Sequence, residues 1–238
     1  MRYELYYWDG IQGRGEYVRL ALEEAGADYR DVAREPSGSE KMMKLMRGGA
    51  TPAFAPPFLK AGKLLIGQTA NILLYLGERH GLAPKTEAGR LWTHQIQLTI
   101  SDFVVEIHDV HHPIGGGLYY EDQKPEAKRR AADFLKNRAP KYLDYFKGIL
   151  DSNRAGKGRY LVGGRLTYAD LSLFQIIAGM RYAFPNAMRA LEKRRPGLAT
   201  VHDSVAARPR IAAYLESERR LPFNQQGIFR HYPELDAQ

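Results

Sequence analysis

The 238-residue chain contains no cysteine. That absence excludes disulfides, thiolate metal ligation and any mechanism with a protein thiol as nucleophile, so sulfur chemistry here must use a ligand's sulfur. Long apolar runs are also missing. No stretch approaches the roughly 18 uninterrupted apolar residues of a membrane span. Met1-Arg2-Tyr3-Glu4 lacks the charged-then-apolar layout of a secretory leader, and the expectation is a cytoplasmic protein with no membrane association. No internal repeat or low-complexity tract appears. What is present is 44% apolar residues and 11% aromatic ones, enough to fill one large core or two ordinary ones.

The excess of 35 Lys+Arg over 27 Asp+Glu gives a net charge of +8, which favours anionic ligands. The basic residues are scattered, however. Lys128-Arg129-Arg130 and Lys193-Arg194-Arg195 read as solvated helix faces, and no helix-turn-helix or RNP pattern accompanies them, so a nucleic-acid partner is not expected.

Tyr3-Glu4-Leu5-Tyr6-Tyr7 alternates as a short strand does, and Trp8-Asp9-Gly10 breaks it. Gly13 and Gly15 mark a tight loop before a helix with Val18, Ala21, Leu22 and Ala25 on one face, a Glu16 to Arg19 pair on its surface and a stop at Gly26. Asp28 to Val32 reads as a second strand, parallel to the first through the helical crossover. Residues 37–50 predict a short irregular helix. Ala55-Pro56-Pro57-Phe58-Leu59 then opens a hairpin that turns at Gly62 and returns through Leu64-Leu65-Ile66. A strand-initial proline sits only at an edge, a bulge or a cis bond, which makes Pro57 a marker of unusual backbone. Gln68-Thr69 opens a helix with Ile72, Leu73 and Leu76 at helical spacing, running to about His80. Free N–H groups and the positive dipole end suit such a position to a carboxylate, although the same segment also reads as an ordinary strand-turn-helix with a Thr cap.

After Gly81-Leu82-Ala83-Pro84-Lys85 the strand signals stop. Helices are expected over Arg90–His112, Pro125–Asp151, Tyr168–Tyr182, Gly197–Val205 and Pro209–Glu218, with residues 222–238 as a tail over the surface. Thr167-x-x-Asp170 is a capping-box variant with Asp in place of the usual Glu, and Leu166 is placed to staple onto Leu171.

A β-α-β-α-β-β-α unit with a strand-initial proline, followed by helices with a capped central one, resembles the cytosolic glutathione transferases over nearly the whole chain. The pattern is closest to the tyrosine-type mu, alpha and sigma classes. The resemblance implies an α/β plus all-α fold: a thioredoxin-like glutathione-binding domain over 1–82, a linker over 83–89, and an all-helical domain over 90–221. It also implies glutathione as co-substrate, a homodimer with C2 symmetry and attack on small apolar electrophiles. Peroxide reduction, isomerisation or low-turnover ligand binding are the alternatives.

On that match Tyr7 is the catalytic hydroxyl beside the glutathione sulfur, and Arg14 stands where the alpha class places an arginine near it. Tyr6 remains an alternative, because one extra residue separates Tyr7 from Gly13-Arg14-Gly15-Glu16. Pro57 matches the cis-proline and Gln68-Thr69 the pair that binds the γ-glutamyl carboxylate. Trp8 and Lys44 fall at the glycyl end, and Asp102 matches the acid that reaches the glutamyl amine in the neighbouring subunit. Phe54 resembles the aromatic plug inserted into the partner, offset by one residue. Pro56 departs from the pattern: the residue there usually offers N–H and C=O to the tripeptide, and proline has no N–H. His108, His111 and His112, at i, i+3 and i+4, have a spacing that could bind metal. No cysteine joins them and His112 precedes Pro113, so no metal is expected, and they are assigned with Phe184 or the tail to the second-substrate wall.

Overall fold

The computed structural model describes residues 2–48 and 50–236. Gly49 of the expected irregular helix and Ala237-Gln238 of the expected tail lie outside the described residues. A four-stranded sheet in the order β2-β1-β3-β4 is built from β1 (Tyr3–Tyr6), β2 (Tyr29–Asp31), β3 (Phe58–Ala61) and β4 (Leu64–Gly67). β1 runs parallel to β2 and β3 pairs antiparallel with β4, both as expected from the sequence, and β1 also pairs antiparallel with β3. Helices α1 (Gly15–Ala25), α2 (Gly38–Met46) and α3 (Thr69–His80) belong to this half. No strand follows Gly67 among the described residues.

The second half comprises α4 (Glu87–Asp109), α5 (Lys124–Asp133), α6 (Ala139–Ser152), α7 (Tyr168–Ala183), α8 (Pro185–Lys193), α9 (Pro196–Ala206) and α10 (Pro209–Leu215). Local chemistry accounts for the differences from the expected bounds. α4 begins early because the Thr86 hydroxyl accepts the Gly89 N–H (3.2 Å), and it stops before His112 because Pro113 disfavours helical backbone in the residue ahead of it. The single helix expected over Pro125–Asp151 is interrupted by a π-turn at Phe134–Arg138. Pro140, two residues beyond that turn, has no N–H for the ladder and its ring crowds the carbonyl four residues back. α8 is an element that the sequence reading lacked; its proline start stands directly after the end of α7.

One apolar core joins the two halves. Leu5, Leu20, Leu22 and Ile72 of the sheet half are fully buried in the same cluster as Ile100, Phe103, Tyr168 and Ile177 of the helical half. Each such aliphatic side chain contributes about 1.5–3 kcal/mol by leaving water. α1 is enclosed, touching α3, α7 and α10. This overturns the surface placement of Glu16 and Arg19, both of which are 0% exposed. The second correction concerns Lys193-Arg194-Arg195: Arg195 is buried and grips Asp144 with two hydrogen bonds of 2.7 and 2.8 Å.

The C-terminal segment is a strap rather than a surface tail. Ile228, Phe229, Leu235 and Asp236 are buried, and the Phe229 ring lies so close to Gly179 that a Cβ there would come within 2.4 Å of it. Asp236 anchors the end by accepting the Asn186 and Ala187 N–H groups at the start of α8 (2.8 and 3.0 Å).

The expected capping box forms at α7. Buried Asp170 accepts the N–H of Thr167 (2.7 Å), the Thr167 hydroxyl (2.9 Å) and the N–H of Leu161 (2.7 Å). Desolvation nevertheless pushes its carboxyl up to about 6. Replacing Asp170 by Ala removes a cap and orphans two buried N–H groups, each loss costing about 1–2 kcal/mol. The expected result for Asp170→Ala is a loss of roughly 3 kcal/mol in urea-induced unfolding; a midpoint equal to the parent's contradicts this account of the α7 start.

Candidate active site

β1 ends at Tyr6, which places Tyr6 and Tyr7 on opposite faces of the chain's exit from the sheet. Tyr6 stacks on Phe58 (4.9 Å between ring centroids, 15° between planes), and its hydroxyl donates to Glu4, which leaves that phenol committed. Tyr7 lies beneath the loop Gly10–Arg14. The Arg14 backbone N–H donates to the Tyr7 hydroxyl oxygen at 2.8 Å, leaving the phenol's own proton available for an acceptor. The loop crosses the ring so closely that only glycine fits: a Cβ on Gly13 would stand 2.1 Å from the Tyr7 oxygen, and one on Gly15 2.7 Å from the ring. Gly13 also adopts a left-handed φ of 46°.

Burial raises the Tyr7 pKa, opposed by the Arg14 N–H and by the charges of Arg14 and Arg19. The hydroxyl is therefore protonated at neutral pH and acts as a hydrogen-bond donor.

A cleft of about 460 Å³ opens between the start of α3 and the middle of α4. Arg14, Gln68 and Thr69 line one wall and Gln97, Ser101 and Asp102 the other. Gln68 has φ 68° and ψ 123°, a left-handed setting that costs a non-glycine residue of order 1–3 kcal/mol and recurs at ligand clamps. The first intrahelical bond of α3 is Ile72 N–H to the Gln68 carbonyl (2.9 Å), and the N–H groups before it have no intrahelical partner. Four polar atoms of this cleft are buried without a protein partner: the Tyr17 hydroxyl, Thr69 Oγ1, His94 Nδ1 and Gln97 Oε1. Polar groups left so at a cleft wall fit a polar ligand. Arg14 and the α3 start suit its anionic end, while the Asp102 carboxylate opposite suits a cationic one.

The other expected site residues are distributed around this cleft rather than lining it. The Pro56–Pro57 bond is cis, as expected, and both prolines are buried at the entry to β3. Trp8 is 43% exposed, and Lys44 lies on α2 beside a separate shallow depression with Glu40 and Arg47. The three histidines do cluster, with ring centroids 4.8–5.1 Å apart. Only His108 is part-exposed; His111 and His112 are buried. His111 donates from Nε2 to the Ile228 carbonyl of the strap (2.8 Å), and His112 Nδ1 accepts from Gln123 (3.2 Å). Burial lowers the pKa of all three, that of His111 to about 2, and so holds them neutral. Among the described residues no group of three or more His, Asp or Glu side chains is arranged to hold a metal ion. No helix among them is long and apolar enough to cross a membrane.

A sheet of mixed parallel and antiparallel strands with a cis-proline hairpin, joined through a shared core to an all-helical half with a cleft at the junction, defines a thioredoxin-like domain plus helical domain architecture. Residues 108–218 match the family described as "Glutathione S-transferase, C-terminal domain". A glutathione S-transferase of Plasmodium falciparum is 24% identical over 220 residues, covering 90% of this chain and 95% of the relative. Glutathione S-transferase P 1 of Xenopus laevis is 28% identical over 217 residues, covering 88% and 90%. Among solved structures, prostaglandin synthase D of Nilaparvata lugens superposes with a TM-score of 0.72 at 22% identity, over 93% of this chain and all of that one. Monomeric Na-GST-3, a glutathione S-transferase of the hookworm Necator americanus, gives 0.70 at 21%, over 94% of this chain and all of that one. Over nearly its whole length the chain is thus similar to glutathione S-transferases, and residues 108–218 carry that family's C-terminal domain pattern.

Proposed function

We propose that this chain is a glutathione transferase in which Tyr7 stabilises the thiolate of bound glutathione for attack on a small apolar electrophile. The observation that carries the reading is a protonated Tyr7 hydroxyl bonded by the backbone N–H of Arg14, a residue that itself lines the cleft with Gln68 and Thr69, although Tyr7 is buried and not part of that lining. Gln68, Thr69 and the α3 N–H groups would hold the γ-glutamyl carboxylate, and Asp102 of the partner subunit its amine. Trp8 and Lys44 would hold the glycyl end and Pro56 the central residue through its carbonyl alone. The unpartnered Thr69 hydroxyl fits this role. Glutathione supplies the sulfur that this cysteine-free chain lacks.

Magnitudes decide what the protein must contribute. A free thiol of pKa about 8.5 is a few per cent ionised at pH 7, and lowering it by about 2 units requires roughly 2.7 kcal/mol of preferential interaction. A charge-assisted O–H···S⁻ bond from Tyr7 with Arg14 nearby can supply that. The thiolate fraction then rises about 25-fold, while reduced basicity removes about 8-fold of the gain for a Brønsted slope near 0.45. Holding thiolate and electrophile together must contribute the larger part.

The exposed apolar side chains support a homodimer. Leu91, Leu98 and Val105 are 65%, 48% and 46% exposed and recur every seven residues along α4, a stripe on one face, while Phe54 stands 94% exposed before the proline hairpin. Leu98 and Val105 border the same cleft as Asp102, which suits a partner subunit closing over it.

Three outcomes follow. Tyr7→Phe should lower kcat/KM with an aryl halide by about 10- to 100-fold, the value of one hydrogen bond to a charge; full activity would remove Tyr7 from the chemistry, and an inactive parent that still binds glutathione would favour the ligand-binding alternative. Pro56→Ala restores an N–H to the clamp and should tighten glutathione binding by about 1 kcal/mol in calorimetry, whereas equal affinities refute the proposed loss. Sedimentation should give a dimer for the parent and a monomer for Leu98→Glu, and a monomeric parent overturns the interface.

A further inference from the structure

The Gly10–Arg14 loop, which brings the Arg14 N–H onto Tyr7, is held from α1 by Arg19 and from the far end of the chain by the helical half and the strap. Each of its three leading carbonyls accepts a side-chain donor. Asn224 Nδ2 donates to the Gly10 carbonyl (2.8 Å), and Arg19 Nη1 donates to those of Ile11 (3.4 Å) and Gln12 (3.2 Å). The Gln12 side chain extends the arrangement into the helical half. Its Oε1 accepts from Gln175 Nε2 at 2.7 Å, and its Nε2 donates to the Leu221 carbonyl of the strap. Gln175 Oε1 accepts in turn from Arg220 (3.1 Å), which also donates to Glu16 (2.6 Å), and Glu16 accepts the Tyr214 hydroxyl (2.9 Å). Gln12, Glu16, Arg19 and Gln175 are all buried.

Such a chain is costly to leave half-made, because each buried amide without a partner forfeits its full desolvation. It therefore fixes one loop geometry. Gln175, on α7, makes none of the contacts that line the cleft, and its amide is used at both ends within this chain.

We propose that Gln12, Gln175 and Asn224 are positioning residues for Tyr7: through the Gly10–Arg14 loop, the helical half and the C-terminal strap set how strongly the Tyr7 hydroxyl donates to the bound thiolate. The proposal rests on the thiolate role given to Tyr7 above. An N–H donated to a phenol oxygen polarises the O–H and makes it the better donor. Loosening the loop withdraws the Arg14 N–H, weakens that donation and raises the pH at which the bound thiol ionises. The other charged or titratable groups around Tyr7 are Arg14 on the loop and Arg19 and Tyr17 on α1, and neither Gln175→Leu nor Asn224→Ala removes any of them.

The test is the pH titration of enzyme-bound glutathione, followed by thiolate ultraviolet absorbance, in the parent, Tyr7→Phe, Gln175→Leu and Asn224→Ala. Asn224 is at the surface, so its variant decides the matter if the buried substitution fails to fold. The expected result is a midpoint raised by about half to one pH unit in either folded variant, a 3- to 10-fold loss of thiolate below the midpoint, with glutathione affinity little changed. Gln175→Glu, which keeps an acceptor for Arg220 but no donor for Gln12, should behave like Gln175→Leu. Midpoints at the parent value in the folded variants overturn the positioning role. Equal midpoints in the parent and Tyr7→Phe instead overturn the role of Tyr7 itself, so the two failures are distinguishable.

Discussion

Arg19 is a cation with no exposed surface, and the sheet, the Tyr7 loop and the helical half meet at it. Burying an unpaired guanidinium would cost many kcal/mol, so its tolerance depends on partners on several sides. Its Nε binds Asp31 at the end of β2 (2.7 Å) and its Nη1 reaches Glu16 (3.4 Å) together with the two loop carbonyls. Glu16 is shared with Tyr214 and Arg220 from the far side. Removing any one of these groups would leave another buried and uncompensated, and that mutual dependence gives the loop a single position. The interior charge serves the specificity of the fold more than its net stability.

The close approach of the loop to Tyr7 has the same logic at a smaller scale. Glycine at 13 and 15 removes the Cβ atoms that would strike the ring, which lets a backbone N–H, rather than a mobile side chain, address the phenol oxygen. A backbone donor is fixed by the loop it belongs to, so it needs no reorganisation to address the phenol. On the same wall of the cleft the strained Gln68 precedes N–H groups of α3 that have no intrahelical partner.

The parts of this arrangement legible in the sequence were the ones with local chemistry. The Pro56-Pro57 pair, the helix opening at Gln68-Thr69 and the Thr167/Asp170 cap each carry their signal within a few residues, and all three stand where they were read. Glu16 and Arg19 were legible as a pair but not as a buried one, since an i, i+3 ion pair ordinarily faces water. A signal was present nonetheless: Tyr17 and Leu20 lie off the Val18-Ala21-Leu22 stripe, and a helix that is apolar around most of its circumference is enclosed on more than one side. Gln12 and Gln175 offered no signal, because their bond joins positions 163 residues apart and a glutamine in a loop or helix reads as solvent-facing. The histidine cluster was placed correctly at the end of α4, but its burial was not foreseen, since His111 bonds a segment that reads as a surface tail.

That strap ties the two halves together. Its Ile228 carbonyl accepts from His111, while Leu221 and Asn224 both bond the Tyr7 loop and the ring of Phe223 between them stacks on Tyr182 (5.0 Å, 15°). Phe229 meets Phe223 edge-on and is itself wedged against Gly179 of α7. Aromatic side chains packed on the helical half and polar groups that hold the Tyr7 loop therefore alternate along one short segment. A shift of that segment necessarily moves the Leu221 and Asn224 contacts with it, because one stretch of backbone carries both.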